Sequence, residues 1–157
     1  MSTISVSEQA ARTPLLCDGL EALPSSRRFT SEQLEVIYAL GYSHITQGQY
    51  DRALPILSFL VQHGPTQRHY LYGLGLCLQM QGRLSEAIGM YMLCTLLYPS
   101  AYEAMQRIAQ CQVESRYYDD ALETVRRLLD YARTSGDTHL EGKASGMLAV
   151  ITHSSKQ

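Results

Sequence analysis

The sequence predicts an all-α repeat protein: three tandem helix pairs in a short right-handed solenoid, with a short helix before them and a capping helix after. Three observations predict it. One signal occurs three times, as Gly48-Gln49-Tyr50-Asp51-Arg52-Ala53-Leu54, Gly82-Arg83-Leu84-Ser85-Glu86-Ala87-Ile88 and Arg116-Tyr117-Tyr118-Asp119-Asp120-Ala121-Leu122. Its spacing is fixed: Ala53, Ala87 and Ala121 are 34 residues apart, as are Gly41 and Gly75 (with Ala109 in the third slot) and Pro65 and Pro99. Apolar residues fill the slots between these marks. They are Ile37, Leu40, Leu57 and Leu60, then Leu71, Leu74, Leu78, Tyr91 and Cys94, then Met105, Ile108, Val125 and Leu128. A fixed period of this size marks stacked units that bury their apolar faces on one another, and 34 is the tetratricopeptide period.

Each residue type has a reason to be where it is. Gly41 and Gly75 fall in the first helix of a pair, and Ala53, Ala87 and Ala121 in the second, where small residues let the helices approach. A bulkier residue there overpacks the contact at roughly 1–3 kcal/mol. Gly48 and Gly82 follow the last apolar residue of a first helix, as a left-handed cap requires. Pro65 and Pro99 end second helices, because Pro has no N–H to donate.

In chain order, residues 1–30 read as a flexible N-terminus with one short helix, 31–135 as the repeats (about 34–67, 68–101 and 102–135), and 136–157 as the cap and tail. Residues 1–14 are polar, Ser/Thr-rich and without period, and are expected to be disordered or adaptable. Leu16, Leu20 and Leu23 make a short apolar stripe ended by Pro24. So brief a helix is unstable alone, so its leucines pack on the repeats or on a second copy of the chain. Thr30 and Gln33 read as a capping box that opens the first repeat helix. Pro55 falls inside the second. Thr138 with Glu141 reads as a second capping box, and Leu140, Ala144, Met147, Leu148 and Ile151 form one face that caps the third repeat.

Composition excludes several classes. A net charge of −2 and a pI near 6.2 leave no electrostatic footprint for nucleic acid. No run of about 18 apolar residues spans a membrane, so stable membrane association is not expected, and no signal-peptide pattern opens the chain. Cys17, Cys77, Cys94 and Cys111 form no CxxC and read as reduced core thiols of a cytoplasmic protein. His44, His63, His69, His139 and His153 form no metal-ligand spacing. The reading is therefore non-enzymatic, with no catalytic residue, cofactor or metal.

The informative residues are those the repeat leaves over. Positions 2, 5, 9 and 12 of each repeat face the concave side of such a stack. Here they are Glu35, Tyr38, Tyr42 and Ile45; His69, Tyr72, Leu76 and Gln79; and Glu103, Gln106, Gln110 and Val113. The first two repeats offer an aromatic and aliphatic trough, the third a polar edge. Either Tyr38, Tyr42 and Tyr72 pack on neighbouring helices, or they line a groove for an extended peptide with spaced apolar anchors, since an apolar concavity is the default ligand site. A clamp for acidic tails would need Lys or Arg at these positions, and there is none.

Leu34-Glu35-Val36-Ile37-Tyr38-Ala39-Leu40, Gln47-Gly48-Gln49-Tyr50-Asp51, Gly73-Leu74-Gly75-Leu76-Cys77 with Gln79, and Gly82 with Ala87-Ile88 resemble the class II chaperones of bacterial type III secretion. These are the tetratricopeptide chaperones of hydrophobic translocator proteins. The resemblance covers residues 30–98 closely and the third repeat loosely. It implies a bacterial cytoplasmic chaperone that holds a translocator soluble before secretion, through an extended segment laid in the groove. Carried over by position, Tyr38, Tyr42, Ile45, Tyr72, Leu76 and Gln79 become pocket residues, and the helix bearing Leu16, Leu20 and Leu23 a homodimer contact. The N-terminal stretch and the third repeat, which lacks the usual Gly and Pro, depart from the family pattern. A permanent adaptor or scaffold subunit, or a chaperone of another secretion component, would use the same fold.

Overall fold

A computed structural model describes residues 12–157, and among them every regular element is helical. The helices are α1 (Pro14–Glu21), α2 (Ser31–Thr46), α3 (Tyr50–His63), α4 (Arg68–Met80), α5 (Leu84–Leu97), α6 (Tyr102–Glu114), α7 (Tyr118–Ser135) and α8 (Thr138–Ser154), with a 3-10 turn at Pro24–Arg27. The chain divides into two compact units at Ala101 and Tyr102.

In the first unit α2 pairs with α3 and α4 with α5, and α3 also packs on α4. The small-residue positions set these contacts. A Cβ on Gly41 would stand 2.8 Å from the Leu57 side chain, and one on Gly75 2.7 Å from the Tyr91 ring. Ala53, Ala87, Leu57, Leu60, Leu71, Tyr91 and Leu97 are wholly buried, and each large side chain removed from water contributes about 1.5–3 kcal/mol. Gly48 and Gly82 turn the chain between paired helices at φ 70° and 74°, as the sequence requires. Thr30 and Gln33 form the expected reciprocal cap. Pro55 lies inside α3 with its ring exposed, six residues beyond the N-cap Gln49, and the helix runs on past it.

Two slots of the first repeat depart from the pattern. Leu40 is 55% exposed and Ile37 only half-buried, while Leu34 is buried instead. The template assumes a preceding repeat against the outer face of each first helix, and α2 has none. The N-terminal segment covers a different surface. Thr13 donates its N–H to the Leu97 carbonyl at 2.8 Å and its hydroxyl to the Leu96 carbonyl at 2.7 Å. Glu21 accepts from the Thr66 hydroxyl and pairs with Arg12, and the Ser25 carbonyl accepts from His63 Nδ1. Phe29 packs edge-on against Phe59 and His63. Residues 12–14 are thus tied down rather than adaptable; the rest of the stretch expected to be disordered, residues 1–11, lies outside the described residues.

In the second unit, α6, α7 and α8 close around Ala109, Ala121, Val125, Leu128, Leu129, Ala132, Leu140, Ala144 and Ile151. Met147 and Leu148 pack against this cluster, so the apolar face expected of the last helix is the one that docks. The cap of α8 is not the expected box. Asp137 precedes the helix, and its carboxylate accepts the Leu140 N–H at 2.9 Å. A charged acceptor one residue earlier displaces the Thr138 hydroxyl from this role. Four cysteines are free and buried.

Candidate functional site

The face shared by α2 and α4 gathers most of the residues singled out by position. Helical spacing puts Tyr38, Tyr42 and Ile45 along one stripe of α2, and His69, Tyr72, Leu76 and Gln79 along one stripe of α4. The helices meet where Tyr38 lies edge-on to His69, with ring centroids 4.6 Å apart, and tilted against Tyr70 at 5.4 Å. Tyr42 lies 6.0 Å from Tyr38 and is 53% exposed. Ile45 is half-buried against α4, its Cδ1 3.7 Å from where a Gly73 Cβ would stand. Tyr72 is half-buried, its ring 5.6 Å from that of Tyr91, and Leu76 is also half-buried.

These side chains pack on neighbouring helices and also keep part of their surface in water. A tyrosine does this well, because the ring buries area while the hydroxyl stays hydrated. Burial raises the Tyr38 phenol above its ordinary range, with Tyr42 and Glu35 adding to the effect. Gln79 is placed differently. It is buried and accepts a 3.0 Å hydrogen bond from the Tyr91 hydroxyl, so it braces α4 on α5 beneath the face.

Sequence position did not single out Tyr70, which anchors one end of this face. It is buried, and its hydroxyl donates to Glu35 Oε1 at 2.6 Å. His69 Nε2 lies 2.7 Å from the same oxygen, as donor in the tautomer that satisfies the carboxylate. Burial and this carboxylate push the Tyr70 phenol well above its usual range. The repeat register carries no signal for it, because its counterpart 34 residues earlier, Val36, is 74% exposed.

In α1 the inward residue is Cys17, wholly buried, rather than the leucine stripe. Leu16 and Leu23 are 44% and 45% exposed, Leu15 is 86% exposed, and Leu20 is half-buried. Leu23 also lies beyond the helix end, because the helix stops at Glu21. In the second unit, Gln110, Val113, Glu114, Gly146, Met147, Val150 and Ile151 surround a cavity of about 340 Å³ between α6 and α8. Among the described residues no cluster of His, Cys, Asp and Glu is arranged to hold a metal ion, and no helix is long and apolar enough to cross a membrane.

A helix-pair fold with this period defines the class: the fold is that of tetratricopeptide-repeat proteins, and the tetratricopeptide-repeat family model matches residues 38–92. Within that class it has the fold of the type III secretion translocator chaperones. PcrH from Pseudomonas aeruginosa is 25% identical, over 83% of this chain and 99% of PcrH, with a TM-score of 0.72. PcrH in complex with the chaperone-binding region of PopD is also 25% identical, over 81% of this chain and 96% of that one, with a TM-score of 0.74. SycD of Yersinia enterocolitica, a type III secretion translocator chaperone crystallised as an alternative dimer, has a TM-score of 0.74 at 20% identity, over 83% of this chain and 100% of its own. No curated protein matches the sequence significantly.

Proposed function

We infer that the protein is a type III secretion chaperone that binds a hydrophobic translocator and keeps it soluble and competent for secretion. The observation that carries this reading is a coincidence. The chain shares its fold, over 81% of its length, with PcrH captured on the chaperone-binding region of PopD, and its α2–α4 face presents Tyr38, Tyr42, Tyr72 and Leu76 half in water. A client segment in extended conformation places alternate side chains on one side, and these rings and aliphatic groups are the surface those side chains bury. Tyr38, Tyr42, Ile45, Tyr72 and Leu76 form the contact surface, with Gln79 holding α4 in place below it. The reaction is binding and release in the bacterial cytoplasm, without catalysis or cofactor.

Leu16, Leu20 and Leu23, with Leu15 beside them, form a second contact surface, which we assign to a homodimer. Their exposure supports it, because α1 turns Cys17 rather than the leucines inward. Replacing Leu16 and Leu23 by Asp should then give a monomer by light scattering.

The test of the main reading is to purify the protein from its own cells and identify what accompanies it. A stoichiometric partner with long apolar helices supports the chaperone. A stable complex with a protein lacking such segments would replace this reading with that of an adaptor subunit.

A further inference from the structure

The α2–α4 face carries one charged group that an apolar groove does not use. Glu35, near the N-terminal end of α2, accepts from Tyr70 and His69, and both bonds fall on Oε1. Among the described residues no donor reaches Oε2, and no lysine or arginine pairs with this carboxylate. Glu21, Glu86, Glu123 and Glu141 each have an arginine. The Glu35 side chain is 40% exposed. Holding Tyr70 and His69 requires only an acceptor, which an amide would also supply. The charge is surplus to that structural task.

Its surroundings are suited to a cation. Tyr38, His69 and Tyr70 crowd around this end of the face, with centroids 4.4 to 5.4 Å apart, and Tyr42 stands one turn further along α2, 6.0 Å from Tyr38. Aromatic faces attract an ammonium or guanidinium group, and their apolar surface receives the methylene stem of a long basic side chain. The carboxylate supplies the full charge beside them.

We propose that Glu35, with the rings of Tyr38 and Tyr42, is a basic-residue subsite that takes a lysine or arginine of the bound segment. This rests on the reading of the face as a peptide groove, and adds what that reading lacks. Apolar anchors at alternate positions do not distinguish one direction of an extended strand from the other. A single charge at the N-terminal end of α2 and α4 fixes the direction and register, and disfavours a segment with an acid at that point.

The test is to pan a displayed library of random dodecapeptides on the full chain and on its Glu35→Gln variant, which keeps an acceptor for Tyr70 and His69. The wild type should enrich peptides with a lysine or arginine beside spaced apolar residues. Glu35→Gln should keep the apolar pattern and lose the basic preference. A peptide so selected should bind the variant roughly fivefold more weakly, as for a half-exposed ion pair, and replacing its basic residue by Gln should abolish that difference. Apolar enrichment without a basic preference, or with the same preference on both proteins, would overturn the subsite and leave the groove standing. No enrichment on either protein would overturn the groove, and the subsite with it.

Discussion

Arg116 sits at φ 63°, in the slot where the first two repeats have Gly48 and Gly82. A residue with a Cβ is strained in this left-handed region by roughly 1–2 kcal/mol, part of which glycine would lose again through its greater freedom when unfolded. Arg116→Gly should therefore raise stability by about 0.5–1 kcal/mol in urea unfolding. The turn itself was legible from the repeat, but the strain was not, because the sequence shows an eroded slot without saying whether the backbone moved. Here it kept its shape. The buried thiols make a second residue-scale case. Burial pushes Cys77 and Cys111 up to about 11. An unfolded thiol ionises from about 8.5, so the unfolded state loses protons first. The contribution of these groups is intact below that pH and is lost as pH rises toward 11. A Cys77→Ala, Cys111→Ala double variant should show a shallower decline in stability between pH 8.5 and 10.5 than the wild type.

At the scale of elements, glycine separates contact from mere tolerance. Gly75 faces the Tyr91 ring with no room for a methyl group, whereas a Cβ on Gly89 in α5 or on Gly142 in α8 meets nothing within 4 Å. Gly75→Ala should destabilise the first unit by about 1–3 kcal/mol. Gly89→Ala and Gly142→Ala should each stabilise by about 0.5–1 kcal/mol, because glycine is a poor helix former where nothing demands it. Thermal melts of the three variants decide the point. Helix pairs, their turns and the small-residue seams were all readable, since each follows from a residue type recurring in register. The ends were harder. Leu40 fits a core slot but has no preceding repeat to enter, and the α1 leucines yield the inward position to Cys17 because polar anchors at Thr13, Glu21 and Ser25 set the orientation of that helix.

For the whole molecule, position within the repeat located the face formed by Tyr38, Tyr42, Ile45, Tyr72 and Leu76, but not the polar anchor beneath one end of it. Tyr70 and Glu35 are joined by a side-chain hydrogen bond between residues 35 apart, and no local pattern announces such a pair. Gln79 shows the converse, a groove position by register whose side chain is spent on Tyr91. The most direct measurement is the affinity of the partner recovered from cells for the wild type and for Tyr38→Ala with Tyr72→Ala. Tyr42→Ala serves as a further variant, because that ring is more exposed and its loss disturbs less packing. Aromatic anchors of a groove are hot spots, so the double variant should bind about 30-fold more weakly or worse, with its helical circular dichroism unchanged. Unaltered affinity in a folded double variant would contradict the assignment of this face as the client-binding groove.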